Sequence, residues 1–184
     1  MIYVVTGPSG GGKTTFISIL LEHLDEVKMI DVDVSTHSKR KYKNTPGRKL
    51  VSKAYINSRC YSVVNSYDGN QYGYTIPADV ESFLYVLDYP GEYPDCIEFS
   101  DCQWQGILIL PPSEHELVIR LTKANRESRI QSAINEYREC LDDIASGRID
   151  DSWIIIINDT IATSLCCVTA IKERAKSAPY YGAT

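Results

Sequence analysis

The chain has 184 residues, 43% of them hydrophobic and 23% charged, which fits one soluble domain with a sizeable core, alone or carrying small insertions. A net charge of −5 argues against a nucleic-acid-coating protein, and no apolar run approaches the roughly 20 residues needed to span a bilayer. Six cysteines without a C-x-x-C pair read as reduced thiols of a cytoplasmic protein rather than as a disulfide framework or a zinc site.

The first predicted element is a buried strand over Ile2–Thr6, too short for a secretion signal and running into a glycine loop. A helix follows over Thr14–Leu24, with Phe16, Ile19, Leu20 and Leu24 on one face. Val27–Val34 reads as a second strand. Ser35–Asn57 is polar, basic and irregular, with a turn at Pro46-Gly47. Within it Lys39, Arg40, Lys41, Lys43, Arg48, Lys49 and Lys53 fall in a stretch without a carboxylate, a local patch for an anionic ligand on an otherwise acidic protein. Tyr61–Tyr74 alternates apolar and polar residues around Asp68-Gly69-Asn70 and predicts a hairpin. A helix is expected over Val80–Leu84, then a strand over Leu84–Leu87 ending at Asp88.

Gly106–Leu110 is a further apolar strand, stopped by Pro111-Pro112. Ser113, with Glu116 three residues on, has the spacing of a capping box and opens a helix to Lys123. Ala124–Ser128 breaks the pattern before a long helix over Arg129–Ala145 that closes at Gly147. Trp153–Ile157 is the most apolar strand, Thr163–Lys176 the last helix, and the tail after Ser177 reads as frayed. Strands alternating with helices, each nearly continuous in apolar residues, predict an α/β fold with a parallel central sheet covered on both faces. Ligands on such sheets bind beyond the carboxyl ends of the strands, so the loops after Thr6, Val34, Leu87, Leu110 and Ile157 share one rim.

Gly7-Pro8-Ser9-Gly10-Gly11-Gly12-Lys13-Thr14 matches G-x-x-x-x-G-K-[ST] between a predicted strand and helix. Glycines let successive N–H groups turn inward onto phosphate oxygens, and the following helix presents its positive end to the same anion. In such loops the lysine, here Lys13, bridges the β- and γ-phosphates and the hydroxyl, here Thr14, ligates Mg²⁺. The basic stretch suggests a second anion, and Tyr72-Gly73-Tyr74-Thr75 could hold a phosphate and stack a base. Arg120, Arg126 and Arg129 flank the polar break, where guanidinium groups on a closing lid could meet a migrating phosphoryl.

These islands resemble, in order, the guanylate kinase family. The resemblance rests on Gly7–Thr15, on Val34-Ser35-Thr36-His37-Ser38-Lys39 with Pro46-Gly47 and Tyr55, and on Gly69-Asn70-Gln71-Tyr72-Gly73. Leu110-Pro111-Pro112-Ser113 with Arg120, and Ile157-Asn158-Asp159, complete it. It implies a P-loop NTPase three-layer core over residues 1–34 and 76–184, a lid near 121–131 and a small mixed α/β or β monophosphate-binding insertion over 35–75. It also implies an ATP- and Mg²⁺-dependent nucleoside monophosphate kinase, monomeric or homodimeric, whose partner is a nucleotide and neither nucleic acid nor membrane. Gly7 to Thr15 and Asn158 would hold ATP, Asn158 beside the adenine. Ser35, Lys39, Tyr55, Tyr72 and Tyr74 would face the acceptor, and Asp88 would order Mg²⁺ beside it. Lys13, Arg120, Arg126 and Arg129 would act on the transferring phosphoryl.

Departures from the family pattern bear on the acceptor. Lys39 and Tyr42 stand where arginines are expected, losing bidentate forks. The two carboxylates that would read guanine fall at Val63 and Pro90, with Asp68 or Glu92 as substitutes in another register. The base is therefore open between guanine and another or modified one. Two readings of other classes compete. Asp88-Tyr89-Pro90-Gly91 has the D-x-x-G spacing of a GTPase switch, although no N-K-x-D guanine reader accompanies it. A non-catalytic guanylate-kinase-like binding module would not need the intact Lys13 and Thr14.

Overall fold

The computed structural model describes residues 1–36, 47–67, 69–79, 84–88 and 104–177. Five strands form a parallel sheet: β1 (Ile2–Thr6), β2 (Val27–Met29), β7 (Leu84–Asp88), β8 (Trp104–Leu110) and β9 (Ile154–Ile157), in the order β2-β7-β1-β8-β9. A second sheet is mixed, in the order β4-β3-β6-β5, from β3 (Val32–Ser35), β4 (Arg48–Leu50), β5 (Val63–Tyr67) and β6 (Asn70–Tyr74). The helices are α1 (Lys13–His23), the short α2 (Lys53–Ser58), α3 (Glu114–Lys123), α4 (Ile130–Ala145) and α5 (Ile161–Ser177).

Alternation along β1 sends its side chains to two cores. Tyr3 and Val5 join Phe16 and Leu20 of α1 and Val168 and Ile171 of α5 on one face. Ile2 and Val4 face the other way and pack with Val32 and Val34 of β3 and Tyr72 and Tyr74 of β6. Farther along that second face, Leu108 and Leu110 of β8 meet Leu117, Leu121, Ala133 and Tyr137 of α3 and α4. The three-layer α/β architecture expected from the sequence is the one observed, with the small sheet laid against the face that α3 and α4 also cover.

Two expectations need correction. Val27–Val34 is not one strand: β2 pairs with β7 in the large sheet, whereas β3 pairs with β4 and β6 in the small one. The chain changes sheets at Ile30-Asp31, where the Ile30 N–H donates to the Val86 carbonyl (2.9 Å) and the Val32 N–H to that of Gly47 (2.7 Å). Ile30, Val32 and Val34 are all buried and keep strand-like alternation across this joint, so the pattern gives no sign of it. Nor is the described part of Ser35–Asn57 irregular. It holds β4 and α2, the latter capped by Ser52, whose hydroxyl accepts from the Tyr55 N–H at 3.1 Å. With Ile56 as its one buried residue, α2 has no periodicity to read. The helix expected at Val80–Leu84 lies outside the described residues except for Leu84, which opens β7, and the tail beyond Ser177 lies outside them too.

The long helix begins at Ile130, after a 3₁₀ turn over Glu127–Arg129, and the break before it turns through Asn125 at φ +52°. The Ser113 cap is as read: its hydroxyl accepts from the Glu116 N–H at 3.1 Å. Ser113→Ala is expected to cost about 1 kcal/mol, seen as a lower urea midpoint with an unchanged slope.

Candidate active site

The loop between β1 and α1 is tightly curled, and three glycines on it have positive φ. Two of them admit no side chain. A Cβ on Gly7 (φ +132°) would lie 2.2 Å from the Ile109 carbonyl oxygen, and one on Gly12 (φ +105°) 1.9 Å from Asn158 Nδ2. The turn is closed by Gly11 N–H donating to the Pro8 carbonyl at 3.0 Å. Its back is held by the Asn158 amide, which donates to the Gly11 carbonyl at 3.0 Å while Ser164 donates to Asn158 Oδ1 at 3.1 Å. Asn158 is thus a buried brace beneath the phosphate loop, a task the sequence reading did not give it.

Lys13 lies folded over the loop, its ammonium donating to the carbonyls of Gly7 (2.5 Å) and Pro8 (3.1 Å). Burial lowers its pKa below the ordinary lysine value, and the carboxylates of Asp88 and Glu136 push it back up. Thr14 and Thr15 are exposed at the start of α1. Asp88, at the carboxyl end of β7, is 3% exposed, and its Oδ2 is ion-paired with Arg48, 13% exposed, from β4 of the small sheet. Asp88 Oδ1 is buried with no hydrogen-bond partner among the described residues. The Tyr74 hydroxyl donates to the Asp88 main-chain carbonyl at 3.4 Å. Asp88 also raises the Arg48 pKa against the opposing effect of burial, so the guanidinium stays charged.

The residues singled out in the sequence separate into groups. Lys13, Asp88, Tyr72 and Tyr74 gather where β1 and β7 end beneath the small sheet; the two tyrosines sit in its core with Tyr74 fully buried. Ser35 is buried at the end of β3. Tyr55 lies at the small sheet's surface, its hydroxyl accepting from Arg59 at 2.6 Å. Arg120 lies on the opposite flank of the loop, donating to the carbonyls of Asn158 (2.7 Å) and Gly11 (3.5 Å) while held by Glu116 at 3.0 Å. Arg126 is exposed and Arg129 is partly buried near Tyr67. Lys39, Tyr42, Pro90, Glu92 and the D-x-x-G glycine Gly91 lie outside the described residues, as does Asp68. Val63 opens β5 opposite Tyr74.

Three residues at this site carried no individual signal in the sequence. Arg48 was one of seven cations in the basic stretch, and only its seat on β4 distinguishes it. Tyr67 and Glu136 looked like ordinary strand and helix-surface residues. The structure joins them: Glu136 Oε2 accepts from the Ser9 N–H at 2.7 Å, and Glu136 Oε1 accepts from the Tyr67 hydroxyl.

A glycine-rich loop between strand and helix, with its lysine and a strand-end carboxylate, on a parallel sheet of this order is the arrangement of a P-loop fold. No protein-family model matches the chain. It is 29% identical to the guanylate kinase of Mycoplasma genitalium, over 75% of this chain and 64% of that one, so it spans less than two thirds of that relative. It is 28% identical to the guanylate kinases of Shewanella violacea, over 92% of this chain and 85% of the relative, and of Mannheimia succiniciproducens, over 95% and 88%. Among solved structures, the crystal structure of guanylate kinase from Anaplasma phagocytophilum matches 98% of this chain and 88% of that one, with a TM-score of 0.68 at 19% identity. The chain is thus similar to guanylate kinases over most of its length and shares their fold. No helix among the described residues is long and apolar enough to cross a membrane.

The buried Arg48–Asp88 pair gives a stability test. Removing one partner leaves the other charge buried, so Arg48→Met is expected to cost about 3 kcal/mol in chemical denaturation. Arg48→Met with Asp88→Asn is expected to recover much of that loss, and additive losses would show that the pair is not coupled.

Proposed function

We propose that this chain is an ATP-dependent nucleoside monophosphate kinase, transferring the γ-phosphoryl of ATP to (d)GMP or a related nucleotide to give the diphosphate. The observation that carries the reading is the facing pair of anion-binding elements. The glycine loop with Lys13 lies on the core, and a small sheet bearing Arg48 and the Tyr72 and Tyr74 phenols lies against the same strand ends. A phosphoryl donor needs the first and an anionic acceptor the second.

In this reading the N–H groups from Gly7 to Thr15 hold the ATP phosphates. Lys13, released from the Gly7 and Pro8 carbonyls, takes up the charge between the β- and γ-phosphates. Mg²⁺ fits the donors present, since hard cations take oxygen ligands and Asp88 Oδ1 is a buried carboxylate oxygen without a hydrogen-bond partner among the described residues. Thr14 and Asp88 would hold it, and when bound it neutralises developing phosphate charge. Arg48, ion-paired with Asp88, keeps that carboxylate oriented. Ser35, Lys39, Tyr55, Tyr72 and Tyr74 position the acceptor, and Arg120, Arg126 and Arg129 serve the transferring group as a lid closes. Asn158 keeps the loop in shape. The same reading makes the protein a cytoplasmic enzyme of nucleotide metabolism.

A non-guanine or modified deoxynucleoside monophosphate is the second reading for the acceptor. It is favoured by Val63, which stands opposite Tyr74 where the family resemblance expects a carboxylate. A site without such carboxylates gives up much of its preference for guanine.

Turnover with ATP across a panel of ribo- and deoxyribonucleoside monophosphates tests the activity; no turnover with any of them would overturn it in favour of a non-catalytic binding module. Lys13→Ala is expected to lower turnover by about a hundredfold or more without unfolding the protein. Val63→Glu is expected to raise the ratio of kcat/KM for GMP over other monophosphates, and an unchanged ratio would place residue 63 away from the base.

A further inference from the structure

The Ser9–Glu136–Tyr67 contact joins the loop after β1 to α4 and to the β5–β6 hairpin. One oxygen of the Glu136 carboxylate takes a main-chain N–H of the phosphate-binding loop, and the other takes the Tyr67 phenol from the β5–β6 hairpin. Glu136 lies near enough to the Lys13 ammonium to raise its pKa. The Arg129 guanidinium is near enough to Tyr67 to lower the phenol's pKa. An amide N–H and a phenol therefore hold one carboxylate beside the phosphate-type loop, with the Lys13 ammonium within electrostatic reach of it and the Arg129 guanidinium within reach of the phenol.

We infer that Glu136 is an internal anion occupying a phosphoryl position of the loop, and that Tyr67, with the Ser9 amide, becomes a hydrogen-bond donor to the transferring phosphoryl once nucleotide displaces it. The inference rests on the donor half of the proposed function. Two anions cannot share the Ser9 N–H: at about 4 Å and an effective dielectric near 20 their repulsion is severe. A polyphosphate drawn to the loop must therefore push Glu136 aside, and the donors it leaves are then presented to the newcomer. During transfer an acceptor phosphate oxygen forms a bond to the γ-phosphorus as the bond to the β,γ-bridging oxygen breaks, and ADP leaves with that electron pair. Tyr67 keeps its proton throughout. Burial first, then its bond to Glu136, hold the phenol's pKa well above its ordinary value, and a phosphoryl anion in the same place acts in the same sense.

Two isosteric substitutions in the full chain separate the two halves of this inference. Glu136→Gln keeps an acceptor for Ser9 but removes the charge, and it is expected to bind Mg·AMP-PNP about tenfold more tightly by calorimetry. Glu136→Ala serves as a second variant with the same expected direction. Unchanged or weaker binding in both overturns the displaced-anion assignment. Tyr67→Phe removes one donor, and it is expected to weaken Mg·ADP–fluoroaluminate, a mimic of the transferring phosphoryl, by about tenfold while Mg·ADP changes by less than about twofold. Equal weakening of both complexes, or of neither, overturns the donor role of Tyr67. Neither arm contains an acceptor, so absence of kinase turnover would remove the acceptor half of the proposed function and leave both arms decisive. Failure of the wild-type chain to bind Mg·AMP-PNP would overturn the donor site and this inference together.

Discussion

A tightly curled loop must still find partners for its carbonyls, and the accounting for those carbonyls governs this site. Gly7 and Pro8 pass theirs to the Lys13 ammonium, Pro8 also to the Gly11 N–H, and Gly11 to the Asn158 amide and the Arg120 guanidinium. Two of these partners are themselves fixed from further out: Asn158 by Ser164, Arg120 by Glu116 and the end of β9. The curl of the loop is therefore a property of three elements distant in sequence, α3, β9 and α5, as much as of its glycines. The glycines are needed because these braces, and the Ile109 carbonyl, come too close for a Cβ.

Electrostatics ties the second sheet to this centre. Arg48 reaches from β4 to Asp88 at the end of β7, so the one carboxylate that the large sheet presents beside Lys13 is shared with the small sheet. The charges near the loop then alternate: ammonium, carboxylate, guanidinium on one side, and Glu136 on the other. Neighbours of opposite sign offset part of the cost of burying these groups. In the proposed reading, a phosphate entering this array meets an Arg48–Asp88 pair already oriented.

The sequence made the large sheet legible because its inner strands are buried on both faces and read as continuous apolar runs. It could not tell centre from edge. Ile154–Ile157 is the most apolar strand, yet β9 lies at the end of the described sheet with Ile155 and Ile157 partly open to solvent. The phosphate loop was legible from its spacing, since the chemistry demands glycine and lysine at fixed offsets. Arg48, Tyr67 and Glu136 were not, because their roles come from tertiary proximity: Tyr67 and Glu136 are far apart in the chain and meet only when the hairpin folds over α4. Likewise Asn158 was read from its likeness to a family position and proves to brace the loop, a contact no local pattern encodes.

The joint at Ile30-Asp31 has a mechanical consequence. Two residues link β2 to β3, and Ile30 is hydrogen-bonded to β7, so the small sheet has no slack tether from which to swing. It also shares an apolar cluster with Ile2 and Val4 of β1, and lifting it away would expose that surface to water. Sliding Tyr72 and Tyr74 over the strand beneath them would keep that interface dry where lifting would not, so the Val4–Tyr74 contact favours sideways over outward displacement.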